Sequence, residues 1–138
     1  MIRPSRKASF ISTLPVLAVL SAATALAAPD GTGTPDSCQF GVTKPALTLL
    51  TGGAQAVVAT AVPTSCTGLA RPTSTTVCVS TPDANGYCDS RNGFTTAQAA
   101  FPAATAPRGE YIAKARGCYS TPGQSQPLCT SQVLSTVF

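Results

Sequence analysis

Six cysteines, in a chain of 138 residues with no histidine and no tryptophan, constrain the fold more than any other feature. Pairs can be drawn so that a turn cluster falls midway between the two cysteines. Between Cys78 and Cys88 the midpoint is Asp83, inside T-P-D-A-N-G; between Cys118 and Cys129 it lies beside Gly123; between Cys38 and Cys66 it is Gly52, inside T-G-G. Cysteines opposed across a hairpin have the Cβ separation a disulfide requires, so each pair is expected to staple its own hairpin. Six cysteines permit fifteen connectivities, and a Cys66–Cys118 bridge between sheets is the main competitor. Cys38 with Cys66 makes a further demand: arms of fourteen residues exceed the usual strand, so the first arm must break, and Pro45 is where.

The segments between the cysteines read as strands. Arg108–Ser120, R-G-E-Y-I-A-K-A-R-G-C-Y-S, has the clearest two-residue alternation: Tyr111, Ala113 and Ala115 on one side, Ile112, Lys114 and Arg116 on the other. It is expected to be a central strand. Ala46–Leu50, the β-branched Gln55–Val62 and Thr73–Ser80, and the alternating Leu128–Phe138 supply further strands. Tyr87 and Cys88 start a short return strand. Phe94–Phe101, with its Thr pair and a following Pro102, is read as a strand although its Ala and Gln residues suit a helix. Asn85-Gly86 and Asn92-Gly93 are turn dipeptides. Six or seven short strands without a convincing helix predict an all-β, antiparallel, immunoglobulin-like sandwich stapled by disulfides.

The first residues do not belong to that fold. Arg3, Arg6 and Lys7 precede an apolar run from Phe10 to Leu20, and Ala25-Leu26-Ala27 offers the small-x-small pattern of a signal peptidase site, so residues 1–27 read as a signal peptide. Residues 28–37 form a polar Gly/Pro leader read as flexible, and the sandwich domain is assigned to 38–138. Three of the nine basic residues leave with the signal while all five acidic residues stay, so the net charge falls from +4 to +1. The basic balance therefore supports neither nucleic-acid binding nor stable membrane insertion after cleavage. Export, to the medium or the cell envelope, also accounts for the cysteines, because a core built from small apolar residues gains most from cross-links.

Catalytic chemistry is poorly served. Without histidine the usual general base, the Ser-His-Asp arrangement and the commonest metal ligand are all missing. Lys44 and Lys114 lie in no nucleophile motif. Asp83, Asn85, Gly86 and Asp89 cluster oxygen ligands, but the spacing is not that of an EF-hand and turn chemistry explains it. No cofactor, metal or catalytic residue is expected. Tyr111 is read as a tyrosine-corner residue tying its strand to a neighbouring loop.

Taken together, the export signal, the Ala/Thr/Gly-rich composition, the G-x-Y-x-x-x-A strand at Gly109–Ala115 and the hairpin cysteines resemble the small secreted immunoglobulin-like domains of actinobacteria. Neocarzinostatin-type apoproteins are one such architecture, and the C-x9-C at Cys78 and Cys88 is similar to theirs, although six cysteines depart from their four. The resemblance implies an apolar cleft for a small molecule.

The expected function is therefore that of an exported, non-enzymatic binding module for a protein or a small apolar ligand; a structural envelope protein without a discrete site is the alternative. In an immunoglobulin-like sandwich the loops Thr67–Pro72 and Tyr119–Pro127 emerge at one pole, which nominates Leu69, Arg71, Tyr119 and Gln124 for partner binding. The opposite pole carries Tyr87 and Arg108. An intact-mass measurement on the exported protein is expected to find a chain beginning at Ala28; a membrane-bound chain still carrying residues 1–27 would overturn the signal assignment.

Overall fold

Alternation along each strand decides which residues pair and which are buried. The computed structural model describes residues 33–103 and 107–138; residues 1–27, read as a signal peptide, the expected cleavage site after Ala27 and the first part of the leader lie outside the described residues. Eight strands follow in order: β1 (Ser37–Val42), β2 (Ala46–Leu49), β3 (Gln55–Thr67), β4 (Arg71–Thr81), β5 (Ala84–Asn92), β6 (Ala97–Ala103), β7 (Glu110–Ser120) and β8 (Leu128–Val137). All pairings are antiparallel. In the first sheet β3 is central, with β1 and β2 in succession along one edge and β6 on the other; the second runs β5-β4-β7-β8. The chain changes sheet at β3–β4, β5–β6 and β6–β7.

The fold is thus the expected all-β sandwich, with eight strands rather than six or seven. The added strand is β1. Ser37–Val42 alternates Cys38, Phe40 and Val42 with Ser37, Gln39 and Gly41, but over six residues only and directly after the Gly/Pro leader, and its pairing with residues 61–67 carries a bulge opposite Gln39 and Phe40 where Thr64 of β3 is the extra residue. The break between β1 and β2 falls at residues 43–45, as the Cys38–Cys66 pairing requires. There Thr60 N–H donates to Thr43 Oγ1 (2.9 Å), Thr43 N–H donates to the Thr60 carbonyl (3.0 Å), and Pro45 is buried. Ordered contacts also begin before residue 38. Thr67 Oγ1 donates to the Pro35 carbonyl (2.6 Å) and Leu69 N–H to Asp36 Oδ1 (2.9 Å), so residues 35–37, assigned to a flexible leader, belong to the domain.

The core between the sheets is built from small side chains: Val57, Ala59 and Ala61 of β3, Ala97 and Ala99 of β6, Val77 and Val79 of β4, and Tyr111, Ala113 and Ala115 of β7. The alternation of β7 is therefore as read, with Lys114 and Arg116 exposed on the outer face. Tyr111 is structural by a different means from the one expected. Its ring is part of an edge-to-face series, Tyr87–Phe101–Tyr111–Phe138, with centroids 5.2, 5.5 and 5.6 Å apart, and among the described residues its hydroxyl makes no hydrogen bond. Phe138 is held in that series by a reciprocal backbone pair with Gly109, at 3.1 and 3.0 Å.

Turn chemistry places the hairpins, with one correction. The β4–β5 turn is Pro82-Asp83, and Asn85-Gly86 lies two residues later, inside β5. That strand spans nine residues, far more than a short return at Tyr87-Cys88, because β4 pairs with it from Ser74 to Thr81.

Where β5 meets β6 an ionised carboxylate joins the two sheets. Asp89 Oδ2 accepts the Gln98 backbone N–H (2.9 Å) and Arg91 Nε–H (3.0 Å). These bonds, first the Gln98 amide and then Arg91, hold the Asp89 carboxyl below its ordinary value of 3.8. A depressed folded-state value means that the linkage stabilises the fold above about pH 4 and is lost as pH falls below it. In urea titrations the native chain is expected to lose more stability between about pH 5 and about pH 2.5 than Asp89→Asn does. Equal losses would show that this carboxylate makes no contribution.

Candidate binding surfaces

Three disulfides shape both surfaces that could receive a partner. Cys38–Cys66, Cys78–Cys88 and Cys118–Cys129 join opposed residues of β1 and β3, β4 and β5, and β7 and β8. These are the pairs that bracket their turns, and the competing Cys66–Cys118 bridge is not formed. Their Cα atoms lie 4.0–4.1 Å apart, the close approach typical of non-hydrogen-bonded antiparallel pairs. Three disulfides also mark an oxidising environment. Among the described residues no helix is long and apolar enough to cross a membrane.

The first surface is the pole formed by the β3–β4 and β7–β8 connections. Arg71 lies opposite Ser120 and Pro72 opposite Tyr119, so the two loops are neighbours although about 50 residues separate them. Leu69, at the turn, is 63% exposed. Gly68 beside it adopts φ +60°, and a Cβ there would collide with the Asp36 carboxylate that accepts the Leu69 amide. Arg71 is exposed, its Nη1 donating to the Ala70 carbonyl (2.8 Å). Gln124 is exposed on a turn closed by its own amide to the Thr121 carbonyl (3.3 Å).

Tyr119 differs from the other three. It is half-buried against a second small core of Cys38, Phe40 and Ala70, with Cys66 alongside, so its ring supports the pole rather than standing free as an anchor. Sequence spacing identified the loop but not this packing, which depends on β1. Phe40 covers Gly117 on the core face of β7, and a Cβ at Gly117 would collide with the ring. Glycine here leaves the room that an aromatic ring on the neighbouring sheet fills.

The second surface is a shallow depression of about 290 Å³ on the outer face of the second sheet. Thr76 and Cys78 of β4, Lys114 and Arg116 of β7, and Ser131 and Val133 of β8 line it, joined by Ala115 and Gln132, and the surface it offers is almost entirely apolar. Register places Cys78 opposite Lys114 and Lys114 opposite Val133, so these side chains share one row across three strands. In the sequence Lys114 and Arg116 read only as outward-facing residues of the central strand. The signal for a site was present in two separate facts, the outward parity of Lys114 and Arg116 and the disulfide at Cys78, but only the strand order brings them together.

The oxygen-rich residues considered as a cation loop are dispersed. Asp83 sits in the β4–β5 turn and Asp89 is bonded to Gln98 and Arg91. Among the described residues no group of three His, Cys, Asp or Glu is placed to hold a metal ion. No known family, curated protein or solved structure matches this chain.

The Phe40–Gly117 contact yields a direct test of the pole. Gly117→Ala is expected to destabilise the fold by about 1–3 kcal/mol, as overpacking does elsewhere, measured by urea denaturation. A neutral substitution would show that the ring shifts freely and does not support the pole.

Proposed function

We propose that this chain is an exported, non-enzymatic binding module that accommodates a small ligand in the depression on the outer face of the second sheet. The observation carrying this reading is the depression itself: an apolar recess spanning β4, β7 and β8, lined by Cys78 and Val133 and bordered by two long cationic side chains. A recess of this size suits a ligand of one or two rings, and pre-formed apolar sites with few polar groups are the usual form of small-molecule sites. The complete absence of histidine supports the non-enzymatic part. The leader at residues 1–27 and the three disulfides support export, and the sandwich layout with hairpin disulfides supports the likeness to small secreted immunoglobulin-like domains.

A second reading has its own observation. At the pole, Leu69, Arg71 and Gln124 are exposed on loops whose ends are fixed by the Cys38–Cys66 and Cys118–Cys129 disulfides, which suits docking of a protein partner at low ordering cost. The depression is preferred because it is concave, whereas the pole residues are separate projections and Tyr119 is committed to packing.

Titration with 1-N-phenylnaphthylamine, an uncharged apolar dye, separates the two readings. Saturable single-site fluorescence enhancement is expected, and Val133→Arg should abolish it; Val133 is 62% exposed, so the fold tolerates the change. Absence of saturable binding, or binding unaltered in Val133→Arg, would remove the depression as the site and leave the pole.

A further inference from the structure

We infer that the ligand of this depression is an amphipathic organic anion, an apolar ring system carrying a carboxylate or sulfonate. The inference rests on the depression being the binding site and concerns which chemical class it selects.

Its basis is the charge distribution around the recess. Lys114 and Arg116 alternate outward on the same central strand, about 7 Å apart along it, and both border the recess. Among the described residues no acidic side chain lines it. The described residues hold one ion pair, Arg91–Asp89, and Asp89 also bonds to Gln98 at the junction of β5 with β6. Asp36 is engaged by the Leu69 amide at the pole, and Asp83 lies in the β4–β5 turn. Glu110 shares the outward parity of Lys114, but four residues of extended chain separate them by about 13 Å, beyond the ~8 Å screening length at physiological salt. The two cations therefore face the recess without a nearby acidic counterpart among the described residues.

The two features select different parts of one ligand. The stems of Lys114 and Arg116 extend the apolar wall while their charged ends stay at its rim, which places the anionic group of a ligand at the edge and its apolar body inside. Arginine's planar fork matches the two oxygens of a carboxylate or sulfonate, and Lys114 adds a second donor. Thr76 and Ser131 supply hydroxyls to the same edge. An inorganic anion would make no use of the apolar floor. A nucleic acid would find no aromatic side chain in the lining on which to stack a base.

The test compares two dyes that share a ring system and differ by a sulfonate, 8-anilinonaphthalene-1-sulfonate and 1-N-phenylnaphthylamine. The native protein is expected to bind the sulfonate at least tenfold more tightly. In Lys114→Gln/Arg116→Gln that gap should shrink to within about twofold while affinity for the uncharged dye is unchanged, and circular dichroism reports the fold of the variant. Equal affinities for both dyes in the native protein would overturn anion selection while leaving the depression as a site. A preference that survives in the double variant would also overturn it, because the sulfonate would then be held elsewhere. Failure of both dyes to bind in a manner sensitive to Val133→Arg would instead remove the depression itself.

Discussion

The two edge strands of the second sheet bury almost nothing, and covalent bonds hold them where hydrophobic burial does not. In β5 all residues except Asp89 are exposed, and β8 is similarly open apart from Leu134 and Thr136. Neither strand brings the apolar area that usually fixes one, which is of the order of 25 cal/mol per Å² removed from water. Cys88 is therefore joined to Cys78 of β4, and Cys129 to Cys118 of β7, each edge strand being tied to its inner neighbour. The first sheet repeats the device at β1 through Cys38–Cys66. In the chain-entropy model a loop of about ten residues contributes roughly 2–3 kcal/mol, a large fraction of what a domain of this size retains. The β6 edge has no cysteine, and there the Asp89 carboxylate takes up the otherwise unpaired Gln98 amide.

The same economy shapes the interior. A core of Ala and Val brings two sheets together closely but supplies few contacts at its ends, and the two ends are closed differently. At one end the rings of Tyr87, Phe101, Tyr111 and Phe138 run from β5 through β6 and β7 to the last residue, in the edge-to-face geometry that aromatic quadrupoles favour. At the other, Phe40 occupies the space above Gly117 and Tyr119 packs beside it. Thr75, opposite Gly117 and so at this second end, lies fully buried with Oγ1 unpartnered among the described residues, a cost that the closure carries.

What the sequence disclosed was whatever depends on local pattern. Turn clusters midway between cysteines indicated the disulfide pairs, because hairpin pairing is symmetric about its turn. The alternation of Tyr111, Ala113 and Ala115 gave the buried face of β7 because a strand's side chains have a period of two. What stayed hidden depends on partners distant in the chain. β1 is a strand because β3 extends past residue 60 to receive it; its own alternation of Cys38, Phe40 and Val42 covers only six residues, and the bulge, with Thr64 as the extra residue, lies in β3. β5 is too polar to be recognised by composition, and pairing with β4 together with Cys88 sets its length. In the sequence Tyr119 reads as a free anchor, because nothing in Gly117–Ser120 reveals that Phe40 and Ala70 pack beneath it.

The outer depression illustrates how covalent edges bear on recognition. Its lining comes from β4, β7 and β8, and both disulfides of that sheet fall on the same outward face, since Cys78 lies opposite Lys114 and Cys118 follows Arg116 by two residues. A ligand resting against this face meets β8 tied to β7 by Cys118–Cys129, and β4 paired along its length with β7 and tied on its far side to β5 by Cys78–Cys88. The ordering that association normally requires of the protein is then largely complete before the ligand arrives, and the mobile groups left to settle are chiefly the ends of Lys114 and Arg116. The cross-links that compensate for exposed edge strands thus also keep the outer face of the sheet in one shape, and on that face the two cations stand beside an apolar recess.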